Sequence, residues 1–341
     1  MEINMKNVKI VGLSALAGAL AFTSANAGDV SISGSMIASY TSKGGYNTTG
    51  NPLGMNKELT VTASGELDNG VGVAYKQTIT NAMGYNDSEL VFTGVPMMGD
   101  GTLALTSTGS PLDAIDDKTP IAFEEANAAV GSIDDVAGIN GTYGIRYTLA
   151  DVLGSGLTFD AMYTPRHGTG DAQAEKGTSG NTNPDGGSGY DVVITGNVPG
   201  VDGLSFGLGG SEMENHDTSA ANDRDQSEGT AYVNYAIGAF KVGAQRGVVS
   251  IGGTSETVYD TEYYGVSYAI SDNLSISYND IESTKASDSV GDRIEQDMDS
   301  ISLSYTSGGM TIGVLDSDCG NCSYSRNRDQ SARSIQMTIA F

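Results

Sequence analysis

The chain has 341 residues, a net charge of −25 and two cysteines. An acid excess of this size excludes a nucleic-acid partner, because phosphates need a basic face. It does not signal disorder for most of the chain, because apolar and polar residues alternate regularly and Tyr, Val and Ile are frequent.

Residues 1–27 read as an export signal. Lys6 and Lys9 make a basic start, residues 10–22 are apolar, and Ala25-Asn26-Ala27 is a small-residue cleavage site before Gly28. The apolar run is shorter than the roughly 20 residues a spanning helix needs. With Lys6 and Lys9 set against Glu2, removing this leader takes the charge from −25 to −26. No later segment is long and apolar enough to span as a helix, so a membrane reading of residues 28–341 requires a β-barrel.

Alternating segments then follow one another. Val30, Ile32, Met36, Ala38 and Tyr40 share one face of residues 29–41, and Leu59, Val61, Ala63 and Leu67 share one face of residues 57–67. An Asp-Asn-Gly turn leads to Val71, Val73 and Tyr75, then come Leu90 with Phe92 and Leu103 with Leu105. Ile145, Tyr147 and Leu149 mark a sixth segment and Leu157, Phe159, Ala161 and Tyr163 a seventh. Val192 with Ile194, and Leu204, Phe206 and Leu208, bring the count to nine. The second half repeats the habit at residues 231–237, 240–244, 264–270, 274–278, 301–305, 310–314 and 335–341, about sixteen strands in all.

Two features of this series point to a transmembrane antiparallel barrel. Every second connection is a tight turn, such as Ser271-Asp272-Asn273, while those between are long and polar, such as residues 169–187. That is the pattern of short periplasmic turns and long outer loops. Period-two alternation also sets the apolar residues against a second face rich in Ser, Thr, Asn and Gly. Too much of that face is polar for a packed core, so the apolar side faces lipid and the polar side a water-filled lumen. Charges within the strands are then expected on the lumen side, because hydrocarbon penalises them by several kcal/mol. Tyr40, Tyr147, Tyr163, Tyr268 and Tyr305 sit near strand ends, as interfacial girdles require. Cys319 and Cys322, in Cys-Gly-Asn-Cys, read as a local disulfide of an exported protein.

With its leader, its alternating turns and loops, its terminal Phe341 and one outsized third loop, the chain resembles the general bacterial porins. These are sixteen-stranded trimers, and the style is closest to the alphaproteobacterial members. The resemblance implies an outer-membrane channel for passive diffusion of small hydrophilic solutes and ions. It also implies a homotrimer among outer-membrane lipid and lipopolysaccharide. The third loop, residues 109–141, is then expected to fold into the barrel and narrow the pore. It carries Asp113, Asp116, Asp117, Glu124, Glu125, Asp134 and Asp135 against the single cation Lys118. Its Ala- and Glu-rich stretch 120–130 predicts a short helix, with Ile121 and Phe123 against the wall.

The family sets such a loop against a cationic wall. Lumen parity offers Lys76, Arg146, Arg166 and Lys241, a sparser set than the family's, so a mild cation preference is expected. Carboxylates at residues 113–117 or 134–135 are also the type that holds Ca²⁺, although no EF-hand spacing is present; no other cofactor is expected. No Gly-x-Ser-x-Gly elbow or His-Glu-x-x-His spacing occurs, and His167 and His216 fall in outer loops, so no enzyme is expected. The alternatives are a substrate-specific channel, an enzymatic barrel and a surface β-protein outside the membrane.

Overall fold

Each alternating segment falls on one strand of a computed structural model, which describes residues 28–341 except 82–84, 97, 108, 140–142, 168–185, 216–224, 253–255 and 288–292. The leader and His216 lie outside the described residues. The strands are β1 (Val30–Gly45), β2 (Leu53–Glu66), β3 (Gly72–Ile79), β4 (Tyr85–Thr93), β5 (Thr102–Thr106), β6 (Gly144–Leu149), β7 (Leu157–Thr164) and β8 (Gly186–Asn197). They continue as β9 (Leu204–Asn215), β10 (Gln226–Ile237), β11 (Phe240–Ile251), β12 (Thr257–Ser271), β13 (Leu274–Ser287), β14 (Arg293–Ser307), β15 (Met310–Gly320) and β16 (Gln330–Ala340). Each pairs antiparallel with its chain neighbours, and β16 returns to β1, closing a sixteen-stranded barrel. Phe341 completes the seam: its N–H donates to Gly34 O at 2.9 Å and its own O accepts from Gly34 N–H at 2.8 Å. Closure leaves no unpaired edge, the condition for a sheet to cross hydrocarbon.

The alternation sorts as the two solvents demand. Leu208, Ile237, Ile301 and Ile335 are exposed on the outside. Inside, hydroxyls pair across strands, with Thr60 to Thr78 at 3.1 Å, Thr41 to Ser334 at 3.0 Å and Thr261 to Ser283 at 2.7 Å. The tightest turns need left-handed backbone, and Gly308, between the paired Ser307 and Met310, supplies it with φ +60°.

The expectation that strand charges point to the lumen is corrected. β12, β13 and β14 have 15, 14 and 15 residues, beyond the roughly ten that cross a membrane. Their outer ends rise past the hydrocarbon, where an outward charge meets water and headgroups. Asp280, Asp299 and Asp318 are register partners on the outer face, and Glu262, Glu282 and Asp297 form a parallel row. Tyr264 donates to Glu262 at 2.8 Å and Tyr278 to Asp280 at 3.2 Å, so tyrosines join the apolar band to this acidic collar. Arg246 enters it on Asp260 (2.7 Å), and Arg333 pairs with Asp316 (3.0 Å).

Candidate pore constriction

The β5–β6 loop runs inside the barrel, along the wall formed by β8 to β15. A loop away from bulk water must find partners for its backbone, and the lumen positions of those strands supply them. Gln245 on β11 accepts from Lys118 N–H at 2.7 Å and donates to Ile115 O at 2.8 Å and to Asp116 O. Ser277 accepts from Ala122 N–H at 2.8 Å, Ser302 from Phe123 N–H at 3.2 Å and Asn279 from Ala126 N–H at 3.1 Å. Instead of the helix expected over residues 120–130, one 3₁₀ turn forms at Ala126–Ala128, because wall side chains take these N–H groups.

Apolar packing holds the same path. Leu112, Ile115 and Val136 bury against Val193, Val249 and Tyr259, while Ala126 and Val130 bury against Tyr263, Ile281 and Met298. Under the loop the lumen face therefore mixes apolar side chains with the polar groups that bind the loop backbone. Gly313 shows how close the approach is, since a Cβ there would meet the Phe123 ring at 2.2 Å.

Two buried carboxylates hold the loop's return. Asp191, with no exposed surface, accepts from Ser110 Oγ at 2.6 Å near the loop's start and from Ile139 N–H at 3.1 Å near its end. One side chain thus clasps both ends. Glu228 accepts from Ala137 and Gly138 N–H, both at 2.7 Å. Neither was singled out in the sequence. Their signal, an acid at lumen parity within a strand, acquires meaning only once the loop's path is known.

The loop's acids do not act as one set. Asp113, Asp116, Asp117, Glu125 and Asp135 lie close enough to influence one another, with Lys118 among them and ion-paired to Asp117 at 3.0 Å. Burial, then the neighbouring Asp117, Asp113 and Asp135 charges, push the Asp116 carboxyl up to about 8. Burial first, with acidic neighbours, pushes Glu125 and Asp135 up to about 7. Glu125 Oε1 is buried with no hydrogen-bond partner among the described residues, and Asp135 receives the Tyr263 hydroxyl. Glu124 turns instead to Gln336 on β16, and its carboxyl is raised by burial. Asp134 leaves the cluster, its N–H bonded to Tyr324 OH at 3.2 Å. Among the described residues no group of three or more His, Cys, Asp and Glu is arranged to hold a metal ion.

The four expected cations do not converge. Arg146 is a strut at the loop's root: Nε donates to Asp160 Oδ1 at 2.9 Å and Nη1 to Gly109 O at 2.8 Å. Lys76 lies opposite Glu89 in register, which offsets its charge. Arg166 stands beyond the end of β7, where its N–H reaches Thr164 Oγ1 at 3.4 Å. Lys241 sits beside the β10–β11 turn, below the loop. Cys319 and Cys322 form a disulfide, with Cys322 packed in the cluster that holds Val130.

A closed barrel that is apolar outside, hydroxylic inside and narrowed by an inserted loop defines a water-filled transmembrane channel. Residues 12–314 match the family model described as Gram-negative porin. The chain belongs to that family and is a multi-pass barrel of the outer membrane. No curated protein matches it. Among solved structures it is similar to an anion-selective porin from Comamonas acidovorans, at 14% identity and TM-score 0.66, covering 92% of this chain and 99% of that one. The in-vitro folded, trimer form of OmpT from Vibrio cholerae matches at 11% identity and TM-score 0.65, over 92% and 100%. Salmonella typhi OmpF in complex with daunomycin matches at 12% and 0.62, over 92% and 98%.

Proposed function

We propose that this porin is a general diffusion channel with a mild cation preference, acting as a homotrimer and doing no chemistry. The observation that carries the preference is the one-sided charge of the constriction. Five loop carboxylates gather around one lysine, while Arg146 and Lys76 opposite are offset by Asp160 and Glu89. Carboxylates in excess over cations favour cation passage, and the preference grows with the ionised fraction of Asp116, Glu125 and Asp135. A general sieve is favoured over a substrate-specific channel because the exposed Tyr40, Tyr163, Tyr264 and Tyr278 face outward, while the lumen-side Tyr259, Tyr263 and Tyr324 are buried under the loop and not presented to a solute.

Trimerisation is supported by the barrel's two unlike sides. On the outer face, the carboxylate collar belongs to β12–β15, whereas the outer end of β2 presents Leu53 and Met55, 69% and 66% exposed. An apolar surface at headgroup height suits contact with another subunit, and the collar suits lipopolysaccharide. The test is single-channel conductance and reversal potential of the refolded protein in a planar bilayer under a KCl gradient. Stepwise conductance with a cation-favouring potential supports the reading. Stable insertion without conductance would overturn the sieve, and an anion-favouring potential would overturn the preference.

A further inference from the structure

One cavity lies apart from the acidic cluster and has the opposite charge. It has a volume of about 230 Å³ and sits between the outer end of β1, the tip of the infolded loop and the β15–β16 loop. Lys43, Arg328, Asn47, Asn127 and Gln330 are its polar side chains together with Ser323, and no carboxylate lines it. In a chain with 42 acidic residues against 17 Lys and Arg, that local reversal stands out.

The cations are held ready. Lys43 is the register partner of Ala332, which packs in the cluster with Ala126 and Val130, so its side chain points to the lumen beside the loop tip. Arg328 lies over the Tyr46 ring, 4.1 Å from its centroid. Stacking orients the guanidinium and leaves its edge N–H donors for an acceptor. Gln330 braces the wall, donating to Gly44 O at 2.8 Å and accepting from Asn47 N–H at 2.6 Å. The neighbouring Asp329 carboxylate accepts from Asn321 N–H at 3.2 Å and does not line the cavity. Among the described residues no carboxylate forms an ion pair with Lys43 or Arg328.

We infer that this cavity is a binding site for a small soluble oxyanion, a phosphate or short carboxylate, on the outer side of the constriction. A planar fork beside an ammonium, with amide donors around them, matches an oxyanion better than a spherical halide. Occupancy would cancel positive charge beside the loop tip and shift the channel further toward cations. The inference rests on the channel reading only for the ligand's access.

The test is a titration of inorganic phosphate into the refolded protein in detergent micelles, followed by ³¹P line broadening. Heat-modifiable gel migration verifies the fold of each variant. Saturable broadening is expected for the parent chain, for the charge-conserving K43R/R328K pair, and for R333Q, which removes a cation on the barrel's exterior. In K43Q/R328Q the affinity should fall at least about tenfold, the equivalent of 1.4 kcal/mol. No saturable broadening in the parent, or equal broadening in K43Q/R328Q, would overturn the site. If that double variant does not fold, K43Q alone at its exposed position carries the test: weaker broadening is expected, and broadening equal to the parent overturns the site. Phosphate added to the outer side of a bilayer separates the two readings. Binding without conductance removes the channel and leaves the site; conductance without binding does the reverse.

Discussion

Asp191→Asn tests whether one carboxylate sets the shape of the pore. Asp191 accepts from Ser110 Oγ at 2.6 Å and Ile139 N–H at 3.1 Å, and so joins the two ends of the infolded loop. The amide keeps the volume but removes the charge and turns one acceptor into a donor facing other donors. A hydrogen bond to a charged group contributes about 1.5–3 kcal/mol. At 1.4 kcal/mol per factor of ten, the docked fraction of that loop end should fall roughly tenfold to a hundredfold relative to the undocked. The strand ladder does not use this carboxylate, so the barrel's heat-modifiable transition should stay near that of the parent. Single-channel recording should show noisier open current and frequent visits to a second conductance level. A trace matching the parent in conductance and noise would refute the clasp. A large drop in barrel stability would also refute it, by placing Asp191 in the wall's stability instead of the loop's.

The raised carboxyls of Asp116, Glu125 and Asp135 give a pH dependence. Because their docked pKa values lie above the ordinary range, their contribution to loop docking is full below about pH 4 and is lost as pH rises through about 7 to 8. Their negative charge grows over the same window. Reversal potential in a KCl gradient should therefore be more cation-favouring at pH 8.5 than at pH 5.5; equal values would rule out these acids as the source of selectivity. Gly313→Val should push the Phe123 ring off the wall, with an overpacking cost of about 1–3 kcal/mol, and lower the conductance by lifting the loop into the lumen. An unchanged conductance would show that the ring is free to move aside. Asp299→Asn removes the middle charge of the row formed with Asp280 and Asp318 and should stabilise the barrel by about 0.2–1 kcal/mol at low salt. The gain should shrink in high salt, and thermal unfolding at two ionic strengths would expose its absence.

All sixteen strands, their order and the lipid-facing set were determined by the sequence alone, because period-two alternation and turn chemistry are local. Ile335, Met337 and Ile339 could face only hydrocarbon, and Gly308-Gly309 only a turn. The outer halves of β12–β14 were less legible. By alternation Glu262, Asp280 and Asp299 share the face of Tyr264, Tyr278 and Ile301, and only the rule that strand charges turn to the lumen failed for them, because alternation reports a face and not a height above the membrane. The tertiary structure alone decided the constriction. Which loop acids cluster depends on the wall the loop lies against, and Asp191, Glu228 and Gln245 become anchors only when residues far away in sequence arrive beside them. Tyr263, Ile281 and Met298 are apolar at lumen positions for the same reason. Their partners are loop residues, and the choice between water and loop as neighbour is made by closing the barrel around that loop.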